Sequence, residues 1–574
     1  MLRTHTCGEL ELKHKGKQVT LAGWVQSTRI MGKKAFVDLR DRYGITQVIM
    51  DEHLRNVSSK LTRESVLLVS GKVVKRQQAN PKLATGDIEI VADTAIIISK
   101  ADPLPFEIFK TDINTTEETR LKNRFLDMRR PDMQKTMEFR FHATQTIRNF
   151  CELKGFIEVE TPYIGKPTPE GARDFIIPSR SFKGKYWALQ QSPQIYKQLL
   201  MVAGFDKYFQ MARCFRDEDL RADRQYEFTQ VDIEMSFVED GDVMKFSEGL
   251  IATLYAQLLG IKLKKPFSVI EWKAAIDQYG SDKPDRRFGM ELMDMTDFMR
   301  KSGFKVFEAA AEKGEVVKGF LYPDRVGKKD LEKFNRLAKE QGFPGVAWVL
   351  IEDGELAGGI SKHIMKAKPE LIKLEEGTLF MLAGDWKKVS EALGAMRILG
   401  GDLQKLRKGL DVLWVVNFPL FEWGEELKGP QPAHHPFTAP KKGHEDKIHN
   451  WKKLTEKEML DIPSRTYDLV INGVEIGGGS IRITDRELQH RAFEMLGISE
   501  KEAARKFGML LDAFKYGVPP HGGIAFGLER LLQVMLGRDS VRDVMAFPKS
   551  KSGRALMEDA PNEADAEQLK ELGI

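Results

Sequence analysis

Asp468 and Glu475 flank the strongest turn signal in the chain. Asn472-Gly473, within YDLVINGVEIGGGS, favours a type I′ hairpin, because both central residues of that turn take positive φ. A two-residue loop pairs Ile471 with Val474, Val470 with Glu475 and Asp468 with Gly477. Directly paired residues share a sheet face, so the two acids become diagonal neighbours. Carboxylates that close repel unless a cation bridges them. Magnesium held jointly with nucleotide phosphates is the natural occupant; two solvated acids account for the spacing equally well. A second set of groups lies in EFTQVDIEMSF. Its alternation puts Thr229, Val231, Ile233, Met235 and Phe237 on one face and Phe228, Gln230, Asp232, Glu234 and Ser236 on the other. One apolar and one functional face suit an antiparallel sheet covered by helices on one side. Just upstream, Arg216 is expected to end the preceding strand, and the charged stretch from Asp217 to Gln225 to form a loop.

These groups need a large scaffold, and the chain has 574 residues, enough for three or more domains. With 42% hydrophobic and 30% charged residues it reads as a soluble globular protein. A net charge of +5 permits a polyanionic partner without demanding one. Cys7, Cys151 and Cys214 show no paired spacing, so neither a disulfide framework nor a zinc site is expected, and a reduced compartment fits. No apolar run approaches a membrane span and no signal core opens the chain, which points to the cytoplasm. A P-loop is absent, so any ATP site must be built differently. FPKSKSG, Phe547 to Gly553, reads as a basic loop.

The elements divide into blocks. Residues 1–105 contain five short strand patterns, VTLAGWVQS, KAFVDLRD, ITQVIM, SVLLVSGKVV and GDIEIVAD, which predict a five-stranded OB-fold barrel. In AFVDLRD, Ala35, Val37 and Leu39 point inward, while Phe36, Asp38 and Arg40 point outward; Glu89 also faces outward, and Gln47 lies in the next strand. An outward aromatic offers a stacking platform for an unpaired base. ADPLPFEI, residues 101–108, is a proline-punctuated linker, and residues 106–135 form a hinge. Residues 136–284 open with a long amphipathic helix, MEFRFHATQTIRNFCELKGF, that leads into the strand FIEVETPYI. Residues 285–410 interrupt the pattern with an α+β segment long enough to be a domain. Strand signals resume over 411–545, and 546–574 form a C-terminal extension.

Two blocks, CFRDEDLRADRQYEFTQVDIE (Cys214 to Glu234) and HGGIAFGLERL (His521 to Leu531), resemble motifs 2 and 3 of the class II aminoacyl-tRNA synthetases. The helix and strand around residues 137–164 are similar to motif 1, which implies a homodimer. The resemblance predicts a multidomain α+β fold: an N-terminal OB-fold β-barrel, then an antiparallel-sheet catalytic domain carrying an inserted α+β domain. It implies that ATP is a substrate. Arg216, Arg530 and Glu475 are the catalytic set, Arg216 on the α-phosphate and Arg530 on the γ-phosphate, where fixed guanidinium charge meets developing phosphoryl charge. It further implies ATP contacts from Asp217, Glu218, Gln225, Phe228, Gly527, Leu528 and Glu529, and Mg2+ on Asp468 and Glu475. Alternation from Glu475 turns Arg482 away from the site, so a bulge within Gly477-Gly478-Gly479 is expected to bring it back.

QSPQIYKQLL, PEGARDF and QPAHHPFT are similar to segments of the bacterial-type aspartate-specific branch of this family. They imply a substrate site of Glu170, Ser192, Gln194, Lys197, Arg216, Asp232, His434, His435 and Arg482. A side-chain carboxylate needs fixed positive charge, which Lys197 and Arg482 would supply; an uncharged amide would leave both unpaired. The partners implied are aspartate and tRNA at its anticodon and acceptor end. On the barrel, Phe36 is assigned to stack, Gln47 and Glu89 to read base edges, and Arg29 to phosphate or base. Met31, before Gly32, stands where relatives of relaxed tRNA range often carry histidine, and leans toward strict recognition. The rival readings are an asparaginyl or lysyl enzyme of the same subclass, and an RNA-binding paralogue without catalysis.

Overall fold

The computed structural model describes residues 1–109, 114–167, 171–424 and 428–574. The chain forms two compact units, Met1–Lys135 and Thr136–Ile574. In the first, β1 (Gln18–Met31), β2 (Lys34–Arg40), β3 (Ile45–Met50), β4 (Val66–Lys75) and β5 (Ile88–Ser99) close into a barrel of order β1-β2-β3-β5-β4. Alternation drives it: Ala35, Val37 and Leu39 join Val48, Leu67 and Ile90 in the interior. Arg40 departs from the expected outward exposure. It is buried, bonded to Glu64 at 3.1 Å and laid over the Phe109 ring.

The second unit is built on an eight-stranded sheet. Its strands are β6 (Ile157–Glu158), β7 (Lys207–Phe215), β8 (Glu227–Ser236), β9 (Ser268–Glu271), β10 (Val412–Val416), β11 (Thr466–Ile471), β12 (Val474–Ile481) and β13 (His521–Gly527). The order is β9-β10-β11-β12-β13-β8-β7-β6, antiparallel except for the outermost pair at each edge. Helices α1 (Pro131–Leu153), α2 (Gln194–Val202), α3 (Asp240–Leu259) and α4 (Leu528–Leu536) accompany it. One sheet face packs Val231, Ile233, Met235, Tyr467, Leu469, Ile471 and Ile524 against Ala143, Ile147 and Cys151 of α1, Leu250 and Leu254 of α3 and Leu531 of α4. Fully burying each Ile or Leu contributes roughly 1.5–3 kcal/mol, so this face fixes the register of the other.

Two strand expectations need correction. Of FIEVETPYI only Ile157–Glu158 joins the main sheet, and Ile164–Gly165 belongs to a separate three-stranded sheet; Pro162, lacking an amide, cannot continue the ladder. β8 ends at Ser236: Phe237 takes φ 58 and stands 70% exposed, so it does not share the Met235 face. Between β9 and β10 a five-stranded sheet, with strands from Met293–Asp294 to Gly377–Gly384, encloses its own cores around Phe320, Phe334 and Phe380 and around Val349 and Leu379.

Candidate active site

The opposite face of the sheet carries the chemistry. On β8 it presents Gln230, Asp232 and Glu234, opposite the small residues Gly523, Ala525 and Gly527 of β13. A Cβ on Gly523 would lie 2.0 Å from the Glu234 carboxylate, so only glycine fits beside that acid. The hairpin forms as expected: Asn472 and Gly473 have φ 55 and 79, and Val470 pairs with Glu475. The register beyond it differs. Asp468 pairs with Gly478, not Gly477, because Ile476 is a bulge; the three glycines run regularly beside β13. The bulge therefore lies one residue before its expected place. It has the expected effect, since Gly478, Ser480 and Arg482 now share the face of Asp468.

A cavity of about 350 Å3 opens on this face. At one end four buried charges alternate. Lys197 on α2 donates to Asp232 at 2.8 Å and lies 3.3 Å from Glu234. Arg482 grips both Glu234 oxygens, Nε at 2.9 Å and Nη2 at 3.0 Å, and reaches Ser480 Oγ at 2.7 Å. All four side chains are at most 2% exposed. Burial alone would raise the Glu234 carboxyl, but Arg482 and Lys197 hold it down at about 2. Burial pushes Asp232 up, and its Oδ2 has no partner. His435, against Arg482 Nη1, is kept neutral by burial and by that guanidinium. Ser192, Gln194 and His434 complete this end.

At the other end Arg216 extends over the Phe228 ring at 5.1 Å, its Nε without a partner. Arg530 lies 3.3 Å from Asp223 and 3.5 Å from Glu475. Glu218 and Gln225 also line the cavity. Gln225 is bracketed by the Lys549 backbone, accepting from its amide at 2.8 Å and donating to its carbonyl at 3.3 Å. Asp468 sits behind Gly478, whose added Cβ would be 2.6 Å from Oδ1; that oxygen is buried and has no partner. Burial, then the Glu475 charge, pushes Asp468 well above the carboxylate range. A half-buried carboxyl with an orphaned oxygen beside a second acid suits a divalent cation.

Several assignments read otherwise in the structure. Asp217 turns toward Arg173 and does not line the cavity. Leu528 is buried in the helix-side core, so only its backbone can border a nucleotide. Glu529 lines the cavity, but its carboxylate is held by Arg140 at 2.8 Å and the Thr229 amide at 2.9 Å, making it a brace for β8. Glu170 lies outside the described residues. On the barrel, Gln47 and Glu89 are on the outer face yet buried, bonded to each other at 2.8 Å. Arg29 at 3.2 Å and Arg76 at 2.6 Å both donate to the Gln47 carbonyl. Phe36 is half-buried beside Arg29, and Met31 is 68% exposed. Sequence reasoning did not assign Glu234, Ser480, Asp223 or Arg76 to a site. Glu234 carried a signal, being the third polar group on the alternating face; Ser480 had none, because the bulge hides its parity.

The described residues contain no helix long and apolar enough to cross a membrane, and no cluster of three or more metal-ligating side chains. Residues 116–551 match the family of class II tRNA synthetases (D, K and N), and residues 19–98 match the OB-fold nucleic acid binding domain. An aspartate--tRNA(Asp/Asn) ligase of Thermotoga neapolitana is 47% identical over 100% of this chain and 99% of its own length. An aspartate--tRNA ligase of Thermosipho africanus is 45% identical over 100% and 98%. The asparaginyl-tRNA synthetase of Pyrococcus horikoshii, solved with asparaginyl-adenylate, shares the fold at a TM-score of 0.58 and 19% identity, covering 96% of this chain and 99% of that one. The chain belongs to the bacterial-type aspartyl-tRNA synthetases, the class II enzymes that use ATP to join aspartate to tRNA through an aspartyl-adenylate.

Proposed function

We propose that the cavity is where aspartate and ATP meet, with roles divided between its two ends. The reading rests on one observation: Lys197 and Arg482 at one end and Arg216 and Arg530 at the other line a single cavity. Lys197 and Arg482 receive the side-chain carboxylate of aspartate. The unpartnered Asp232 Oδ2 accepts from its ammonium. The α-carboxylate attacks the α-phosphorus, pyrophosphate leaves, and Arg216 neutralises charge on the phosphoryl oxygens. Arg530 holds the γ-phosphate. The 3′-terminal ribose hydroxyl of tRNA then takes the aspartyl group and AMP departs. Positioning and charge neutralisation carry both steps. Asp468 and Glu475 would hold Mg2+, which when bound offsets triphosphate charge. His434 and His435 line the aspartate end as neutral hydrogen-bonding groups.

The barrel binds the anticodon, Phe36 stacking on a base and the Arg29–Gln47–Glu89–Arg76 network presenting polar edges. We propose that both aspartate and asparagine tRNAs are charged, as the names of the Thermotoga neapolitana and Aquifex aeolicus relatives state for those proteins; this departs from the lean attached to Met31. The chain works as a cytoplasmic homodimer, supported by Phe141 of α1 and Ile157 of β6, which stand 58% and 52% exposed. Amino-acid-dependent ATP–pyrophosphate exchange tests the core reading: aspartate supports it and asparagine does not. Charging of each purified tRNA with labelled aspartate tests the range. Phe36→Ala should raise the KM for tRNA about tenfold, the worth of one stacked base, and leave exchange intact; equal loss of both would contradict the anticodon role.

A further inference from the structure

We infer that the base of the inserted domain positions the ATP end of the cavity by gripping the hairpin that carries Glu475. This positioning role rests on the ATP reading above and adds residues to it. Chain enters the insertion through residues 282–287 and leaves it through 402–411, and both segments close on the turn Asn472–Gly473. Asp285, 1% exposed, is the centre of the grip. It binds Arg287 twice, at 2.8 and 2.6 Å, and accepts from Arg407 of the exit segment at 2.9 Å. Arg287 also reaches the Asn472 carbonyl at 3.4 Å. The Asp411 amide donates to Asn472 Oδ1 at 2.9 Å, and the Asn472 amide donates to the Asp411 carbonyl at 2.9 Å. Asp411 is in turn held by Arg286 at 2.7 and 3.0 Å.

The contact leaves no slack. A Cβ on Gly473 would lie 2.8 Å from the Asp285 Cβ, so the turn glycine is required by the docking as well as by its φ of 79. Three residues past Asn472 stands Glu475, whose carbonyl and carboxylate lie 3.4 and 3.5 Å from Arg530 Nη1. The hairpin thus joins the insertion to the γ-phosphate arginine. A buried carboxylate shared by entry and exit segments makes the two ends of the insertion one rigid foot. Asp285, Arg287 and Asn472 are positioning residues, since none of them lines the cavity.

The test is ATP affinity, read by isothermal titration without aspartate, together with separate KM values for ATP and aspartate in pyrophosphate exchange. Arg287→Ala should weaken ATP binding and raise its KM five- to twentyfold, with the aspartate KM within twofold. Asn472→Gly keeps the positive φ and removes only the side-chain acceptor; it should give a smaller shift of the same kind and guards against a folding failure of the first variant. A drop in melting temperature with unchanged ATP constants, or equal shifts for both substrates, would overturn the inference. Failure of the wild-type protein to bind ATP would instead sink the reading on which it rests.

Discussion

At the Lys197–Arg482 end of the cavity every charged side chain already has a close protein partner, whereas at the Arg216–Arg530 end the two arginines are held loosely, Arg530 at 3.3 and 3.5 Å from its acids and Arg216 with Nε unpartnered. The Lys197, Asp232, Glu234 and Arg482 side chains are at most 2% exposed. The Arg530 and Glu475 side chains are 25% and 37% exposed and 3.5 Å apart. Arg216 has no carboxylate partner among the described residues. On the proposed reading the first end is paired within the protein and selects by leaving a wrong side chain unmatched, while the second presents charges that the triphosphate would complete.

Removing Arg482 should break the first end most severely. Arg482→Leu removes both guanidinium bonds to the buried Glu234 and leaves it only Lys197, which it shares with Asp232, costing about 3 kcal/mol of stability. It should also cut kcat/KM for aspartate by about 10³-fold or more, because the site loses one of its two fixed cations, while ATP affinity stays within about threefold. Thermal unfolding and pyrophosphate exchange check both. Adding Glu234→Gln should recover stability without recovering activity. If ATP affinity fell as far as aspartate affinity, the two ends would not be separate devices.

The next largest effect belongs to the open end. Arg530→Ala should lower kcat/KM for ATP about 10²- to 10³-fold, the usual cost of one charge-stabilising donor. Its effect on stability should stay within about 1 kcal/mol, since its partners are loose and solvent-exposed. A melting-temperature loss as large as that of Arg482→Leu would erase the contrast.

The open end was legible in the sequence because its groups come in contiguous strings. Arg216 stands just before a charged loop, Arg530 sits in a glycine-to-helix turn, and the Asn472-Gly473 signal placed Glu475 correctly. The closed end was legible only in part. Lys197, Asp232 and Arg482 came from separate stretches, and their grouping depended on a bulge whose location strict alternation could not supply; it falls at Ile476, before the glycines. Glu234, the residue that ties Lys197 to Arg482, was visible as a polar position but not as a hub, because its role lies wholly in what other strands bring to it. The barrel followed directly from alternation, yet Arg40 shows the limit of that rule: parity assigned its face and could not foresee that Glu64 and Phe109 bury it.

The smallest effect separates two acids within the closed end by pH. Glu234 is held at about 2 against an ordinary 4.5. A carboxyl depressed on folding contributes stability that is fully present above 4.5 and is lost as pH falls from there toward 2, because the unfolded chain takes up the proton first. Asp232 is raised above its ordinary 3.8 by burial, so its contribution has the opposite sign: present below 3.8 and declining as pH rises. Melting temperatures of wild type, Glu234→Gln and Asp232→Asn between pH 6 and 2 should therefore diverge in opposite directions. The advantage of wild type over Glu234→Gln should shrink as pH falls from about 4.5 to about 2, while Asp232→Asn should lose stability more steeply than wild type on acidification. Parallel acid limbs for all three proteins would mean that Arg482 and Lys197 do not hold Glu234 ionised, and the closed end would then be no more preorganised than the open one.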